Sequence, residues 1–195
     1  MGFPCAFVRL AGCNLRCTWC DTEYAFGEGS AMSIEEIMGE LSRYRCSLVE
    51  VTGGEPLLQP GCIDLLRNLL ESGYRVLLET SGALPIGDVP PSVVKVLDVK
   101  CPGSGEAAGN LFENFRHIQA ADDIKFVVKD RADFEFALDV IRSHALDGRC
   151  GLIFSPVWGS LPLEQLAGWM LASGIQARLQ VQLHKLIWGP DARGV

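Results

Sequence analysis

The chain has 195 residues, with 17 basic and 24 acidic side chains and a net charge of −7. That length suits one domain, and that charge argues against a broad phosphate-binding face, so no direct nucleic-acid partner is expected. Apolar residues make up 48% of the chain, too many for disorder. No apolar run reaches the roughly 18 residues of a membrane span, and no secretory signal opens the chain. A single domain over residues 1–195, cytoplasmic and with no membrane partner, is therefore expected.

In chain order, Ala6–Leu10 reads as a first strand. Ser33-Ile34-Glu35-Glu36 is a capping box that opens a helix burying Ile34, Ile37, Met38 and Leu41. Leu48–Thr52 is a second strand, and Cys62–Ser72 a helix with Leu65, Leu66, Leu69 and Leu70 on one face, closed by Gly73. Strands at Arg75–Thr80 and Val93–Val99 follow, separated by the proline-bearing Gly82–Ser92. Pro102–Gly109 is glycine-rich where a long crossover helix would otherwise stand. Then come a strand at Ile124–Val128, a helix at Ala132–Ala145, a strand at Leu152–Phe154, a helix at Leu163–Ser173 ending at Gly174, and a strand at Leu179–Leu183.

Strands alternating with helices predict an α/β fold with parallel strands and right-handed crossovers. A complete eightfold barrel typically needs about 250 residues. The chain therefore suits a partial barrel with two reduced crossovers, an open doubly wound sheet being the rival. In either architecture chemistry gathers beyond the carboxyl ends of the strands. Those positions follow Leu10, Val51, Thr80, Val99, Phe154 and Leu183.

Eight cysteines without a secretory signal make a disulfide framework the poorer explanation. Cys5, Cys46, Cys62, Cys101 and Cys150 are scattered and read as small buried hydrophobes. Cys13, Cys17 and Cys20 crowd one loop after the first strand. Structural zinc draws four ligands, usually as two spaced pairs, and the chain has no second CxxC pair. His117 and His144 fall in helical stretches and read as structural. An iron–sulfur cluster normally takes four cysteines, so three would leave one iron open to a substrate or cofactor. The spacing favours a cluster over zinc, and over three structural cysteines.

CxxxCxxC with Trp19 before its last cysteine, followed by Thr52-Gly53-Gly54-Glu55-Pro56 at the end of the second strand, resembles the radical S-adenosylmethionine superfamily. The resemblance implies a trimmed barrel of the (β/α)6 type. It implies a 4Fe–4S cluster on Cys13, Cys17 and Cys20, with S-adenosylmethionine chelating the open iron and a 5′-deoxyadenosyl radical as the reagent. Trp19 would border the adenine and Gly54 would offer backbone groups to the methionyl amine.

Gly2-x-Pro4, Phe7 to Cys13, Cys20-Asp21-Thr22, Glu79-Thr80-Ser81-Gly82 and Leu183-His184-Lys185 narrow the resemblance to the 7-carboxy-7-deazaguanine synthase family, over nearly the whole chain. This implies a homodimer, a pterin substrate that loses ammonia, a flavodoxin- or ferredoxin-type electron donor, and magnesium. Thr22 matches the magnesium ligand. Arg9, Thr52, Glu79, His184 and Pro190 match substrate contacts, and Ser81 and Lys100 would face the cofactor. A guanidinium fork such as that of Arg9 suits a carboxylate. The resemblance also implies a Ser-x-Gln-Gly-Glu-Gly segment before Gly2, so the chain is expected to begin inside a longer first strand. At the other end it continues past Pro190 through Asp191 to Val195. Two other readings stand beside this one: an activase that abstracts hydrogen from a glycyl-radical enzyme, and a non-catalytic iron–sulfur or zinc module.

Overall fold

Seven strands lie side by side in the order of the sequence, each parallel to its neighbours. They are β1 (Ala6–Leu10), β2 (Leu48–Gly53), β3 (Arg75–Thr80), β4 (Val94–Val99), β5 (Asp123–Val128), β6 (Gly151–Pro156) and β7 (Arg178–Leu179). The computed structural model describes residues 2–27 and 29–192. Met1, at the chain start discussed above, and residues 193–195 of the tail lie outside the described residues.

A doubly wound sheet reverses its strand order at a switch point. This sheet never reverses, so every crossover carries the chain onward in one direction, as in a barrel left open between β1 and β7. The helices are α1 (Ile34–Leu41), α2 (Cys62–Glu71), α3 (Arg131–Ser143), α4 (Leu163–Ser173) and α5 (Leu183–Trp188). The β3–β4 connection has no helix, and the β4–β5 connection has three short 3-10 turns, Pro102–Ser104, Ala107–Gly109 and Phe112–His117. Both crossovers expected to be reduced are reduced.

Local chemistry sets three of the helix ends. Ser33 and Glu36 form the reciprocal capping box of α1, Asp130 caps α3 by accepting from Asp133 N, and Gly174 ends α4 in the left-handed conformation. The seventh strand departs from expectation. Only Arg178 and Leu179 pair with β6, and Leu183, expected to end that strand, instead begins α5. The cause is tertiary. Lys185 is drawn inward to an ion pair with Asp21 on the loop after β1, and a helical turn delivers it there.

Parity along the strands separates two chemistries. One sheet face presents Val49, Val51, Val76, Leu78, Leu97, Val99, Ile124, Phe126, Val128, Leu152 and Phe154, all buried in one core with Leu65, Leu66 and Leu69 of α2 and Phe134, Ala137 and Ile141 of α3. The opposite face carries Arg9, Glu50, Thr52, Glu79, Asp98 and Lys125, aligned by the strand register. Parallel sheets are ordinarily apolar on both faces. A row of charges on one face therefore makes it the candidate surface for a polar ligand.

Of the scattered cysteines, Cys62 and Cys101 are buried as expected. Cys5, Cys46 and Cys150 are only half-buried, and the Cys5 and Cys46 thiols donate to the carbonyls of Ala6 and Leu48. All eight cysteines are free thiols. His144 caps the C-terminus of α3 and packs against Phe112 and Phe115, and His117 accepts from Arg116 Nε, so both histidines are structural.

Candidate active site

The loop that leaves β1 is fixed before any ligand arrives. Gly12 N donates to Ala25 O at 2.7 Å, folding the loop back on itself. Thr18 donates twice to the turn after β4, through its N to Ser104 O and its hydroxyl to Gly103 O. Arg16 N donates to Glu106 Oε1 at 2.6 Å. A methyl group at Gly103 would lie 3.1 Å from the Trp19 ring, so Trp19 packs flush against that turn. Cys13, Cys17 and Cys20 sit on this loop as half-buried free thiols. Burial pushes Cys17 and Cys20 up from the ordinary thiol range, with Lys100 pulling Cys17 back only in part. A bound metal ion would deprotonate thiols of this kind.

Among the described residues no three His, Cys, Asp or Glu side chains close around a single ion. Three thiols spread along one loop instead suit a cluster, in which each thiolate takes its own iron. The loop packs directly on the end of β2. A methyl group at Gly54 would fall 2.3 Å from Gly12 O and 2.7 Å from Cys13 Cβ. One at Gly53 would fall 2.1 Å from Leu10 O. Both positions require glycine because another backbone occupies the space of a Cβ. Gly54 N already donates to Leu10 O, and Glu55 N to Gly12 O, so the free backbone group that Gly54 offers an amine is its carbonyl.

Gly54→Ala is therefore expected to displace the cysteine loop, lowering stability by about 3 kcal/mol, the upper end for an overpacked site. Cluster occupancy should fall with it. Thermal melting and iron content of the purified variant check this, and wild-type values for both would refute the close approach.

Behind Gly54 the Glu55 side chain is fully buried. Its Oε1 accepts from Thr80 Oγ1 and Leu57 N, and its Oε2 from Ser81 N and Ser81 Oγ, all within 3.1 Å. This ties the end of β2 to the end of β3. Ser81 has thus given its one hydroxyl proton to Glu55, and it can present only an oxygen lone pair to a ligand.

On the polar face, Thr52 is buried and Arg9 is exposed, its guanidinium 5.8 Å from the Tyr24 ring centroid. Lys125 Nζ lies 2.6 Å from Glu79 Oε1. Burial by itself would raise Glu79, but Lys125 outweighs it and holds the carboxyl at about 2. Lys100 Nζ lies 2.8 Å from Asp98 Oδ2. Burial works against its charge, yet Asp98 and then Cys17 hold the ammonium above its ordinary range. The other Asp98 oxygen is buried without a partner among the described residues.

The C-terminal segment reaches the same end of the sheet. Lys185 Nζ is 2.8 Å from Asp21 Oδ2, which also accepts from Gln182 Nε2. Thr22 Oγ1 donates to the other Asp21 oxygen at 2.9 Å and makes no cap bond to the turn it precedes. Burial raises the Asp21 carboxyl, but the bonds from Lys185, Thr22 and Gln182 bring it down to about 2. His184 is half-buried beside Lys185, and Pro190 is exposed beyond α5.

Known proteins are similar to this chain in sequence and in fold. The model of the Radical SAM superfamily matches residues 8–98, which contain both the cysteine loop and the Gly-Gly-Glu-Pro turn. The 7-carboxy-7-deazaguanine synthase of Koribacter versatilis is 45% identical over 100% of this chain and 92% of its own length. That of Chlorobaculum tepidum is 47% identical over 100% of this chain and 90% of its own. The chain belongs to the 7-carboxy-7-deazaguanine synthase family. QueE from Escherichia coli superposes with a TM-score of 0.76 over 93% of this chain and 86% of that one, at 22% identity, which shows the shared fold.

With the family shown, the activase reading and the non-catalytic iron–sulfur or zinc module fall away. Of the residues the resemblance implied, Cys13, Cys17, Cys20, Trp19 and Thr22 share the loop after β1 and Gly54 packs against it. Arg9, Thr52 and Glu79 share the polar sheet face, and Lys100 lies close enough to Cys17 to act on its thiol. Pro190 is exposed, and no hydrogen bond among the described residues ties its side chain to this group. The sequence motifs give no role to Asp21, which stands in Cys20-Asp21-Thr22 only as a matching residue, or to Glu50, Asp98, Glu106 and Lys125. Charges at alternate positions of otherwise apolar strands were the available signal for Glu50, Asp98 and Lys125. The pairings of Asp21 and Glu106 had none, because their partners lie 164 and 90 residues away along the chain.

Proposed function

We infer that this protein is a radical S-adenosylmethionine carbon–nitrogen lyase that converts 6-carboxy-5,6,7,8-tetrahydropterin to 7-carboxy-7-deazaguanine with release of ammonia, on the route to queuosine-type deazapurines. The observation that carries this is identity of 45% and 47% over the whole chain to two synthases of that name.

Cys13, Cys17 and Cys20 would hold the 4Fe–4S cluster, and the glycine cradle at Gly54 fits a cofactor amine close to it. When bound, the reduced cluster and S-adenosylmethionine supply a hydrogen-abstracting 5′-deoxyadenosyl radical. Trp19 borders the adenine side of that site, Gly54 accepts through its carbonyl, Ser81 presents a lone pair, and Lys100 presents its charge to the cofactor carboxylate. Arg9 takes the substrate carboxylate in a forked contact. Thr52, Glu79, His184 and Pro190 complete the substrate contacts, with Glu79 accepting from the amino-pyrimidinone edge. A ring that lacks those donors would leave the Glu79 carboxylate unpaired, which is a strong form of rejection.

Thr22 would ligate Mg2+, an ion that takes few protein ligands and lets substrate oxygens complete its shell. The Asp21–Lys185 pair holds Thr22 and α5 at the same mouth of the sheet. A flavodoxin- or ferredoxin-type protein would deliver the electron. A homodimer is supported by the exposed Leu186, Ile187 and Trp188 on α5 and by the nearby Trp158, since apolar residues grouped in this way mark interaction surfaces. The setting would be cytoplasmic; no helix among the described residues is long and apolar enough to cross a membrane.

Anaerobic reconstitution followed by incubation with 6-carboxytetrahydropterin, S-adenosylmethionine, dithionite and Mg2+ tests the reading. The expected result is 7-carboxy-7-deazaguanine formed in many-fold excess over 5′-deoxyadenosine, because the cofactor is regenerated. One equivalent of 5′-deoxyadenosine per turnover, or no product at all, would refute it.

A further inference from the structure

β2 and β3 bring two acids into contact on the polar face. Glu50 is in register with Leu77, so Glu79, two residues further on, is its diagonal neighbour on the same side of the sheet. On that face the Glu50 carboxyl stands within hydrogen-bonding reach of the Glu79 carboxyl. An ionised carboxylate only accepts, so this contact requires a proton on one of the two. Lys125 decides which. Its Nζ is paired with Glu79 at 2.6 Å, and among the described residues Glu50 forms no ion pair.

The other charged and titratable groups around Glu50 do not change that assignment. Arg9 approaches from β1 but makes no ion pair with it, and Asp98 on β4 is given to Lys100. Cys5, before β1, lies close to Glu50 and to Cys46 and is itself pushed up to about 12, first by burial and then by Glu50. The charge therefore rests on Glu79 and the proton on Glu50. Burial, then the neighbouring Glu79 charge, pushes the Glu50 carboxyl up to about 8.

We propose that Glu50 is a positioning residue: as a neutral acid it donates to Glu79, and so fixes the orientation and the charge of the carboxylate that reads the substrate ring. This rests on the reading of Glu79 as a substrate contact. With Glu50 neutral, the trio Glu50, Glu79 and Lys125 carries no net charge. When Glu50 ionises as pH rises, the hydrogen bond is lost, and a second negative charge faces a site built for an anionic substrate.

The test is the pH dependence of substrate binding to the reconstituted, cofactor-loaded enzyme before reduction. Anaerobic calorimetry with 6-carboxytetrahydropterin from about pH 6 to about pH 9 should show a flat Kd at the lower end. Kd should then rise about fivefold across the last unit, as expected for one ionisation near pH 8. Glu50→Ala should raise Kd, and KM, about tenfold at neutral pH with kcat little altered. Glu50→Gln restores a donor to Glu79, so it should regain the neutral-pH affinity and lose the alkaline rise. Infrared difference spectra should show a protonated carboxyl band at neutral pH that is absent in Glu50→Gln and vanishes in the wild type at high pH.

An alkaline rise that persists in Glu50→Gln, or the absence of that band at neutral pH, overturns the proposal. Glu79→Gln separates the two readings. If it binds substrate as tightly as the wild type while the band behaves as described, the Glu79 reading fails and takes this role with it. If it binds weakly and Glu50→Gln keeps the alkaline rise, this proposal alone fails.

Discussion

Cys17→Ala is expected to abolish formation of 5′-deoxyadenosine, down to the background of the reagents alone, while leaving the fold in place. Two cysteines cannot secure a cluster that already lends one iron to the cofactor, and no other thiol is on the loop. Cys5, Cys46, Cys62, Cys101 and Cys150 are bonded or packed elsewhere. The stability cost should be small, about 1 kcal/mol, because Cys17 is half-buried and the loop is anchored by bonds from Arg16 and Thr18 that do not involve its sulfur. The absorption spectrum and iron content after anaerobic reconstitution, read beside the circular dichroism of the same sample, check the two halves separately. A variant with wild-type iron and an unaltered cluster spectrum would sink the assignment of Cys17 as a ligand.

Glu55→Ala has the largest expected effect on stability. The side chain is fully buried, and its oxygens accept from Leu57 N, Thr80 Oγ1, Ser81 N and Ser81 Oγ. Alanine leaves those donors buried with no acceptor. Hydrogen bonds to a charged group contribute about 1.5–3 kcal/mol each, and an abandoned buried donor costs at least as much. A loss of about 4 kcal/mol is a conservative sum, within the range for breaking a buried charged contact. For a chain of this length that corresponds to a drop in Tm of about 10 °C. The end of β2 would also come loose from the end of β3, shifting Gly54 and weakening cofactor binding about tenfold. Differential scanning calorimetry of apo wild type and variant measures the first effect. A Tm within about 2 °C of the wild type would show that Glu55 does not hold the two strand ends together.

How much of this was readable without coordinates depends on how far apart the partners lie. The capping box at Ser33 and Glu36 and the helix stop at Gly174 involve neighbours along the chain, and both are present as expected. The apolar strands were legible for the same reason, since alternation along five or six residues is a local signal. The strand expected at Leu179–Leu183 failed because Lys185 is held by Asp21, a long-range ion pair that overrides the local preference of an apolar stretch. The role of Ser81 is altered in a similar way. Its place after Glu79-Thr80 was clear, but only the fold shows that its proton goes to Glu55.

The sequence by itself determined the residue types at the candidate site: three thiols on one loop, a Gly-Gly-Glu-Pro turn at the end of the second strand, and an alternation of strand and helix that admits parallel pairing. These are properties of residue type and spacing, and they survive without knowledge of the fold. Tertiary structure decided which charges meet. Strand order and register placed Glu50, Glu79, Asp98 and Lys125 on one polar face, with Glu79 given to Lys125 and Asp98 to Lys100. A carboxyl group takes its proton or its charge from whatever stands within a few ångströms of it, and in a parallel sheet those neighbours come from strands tens of residues apart.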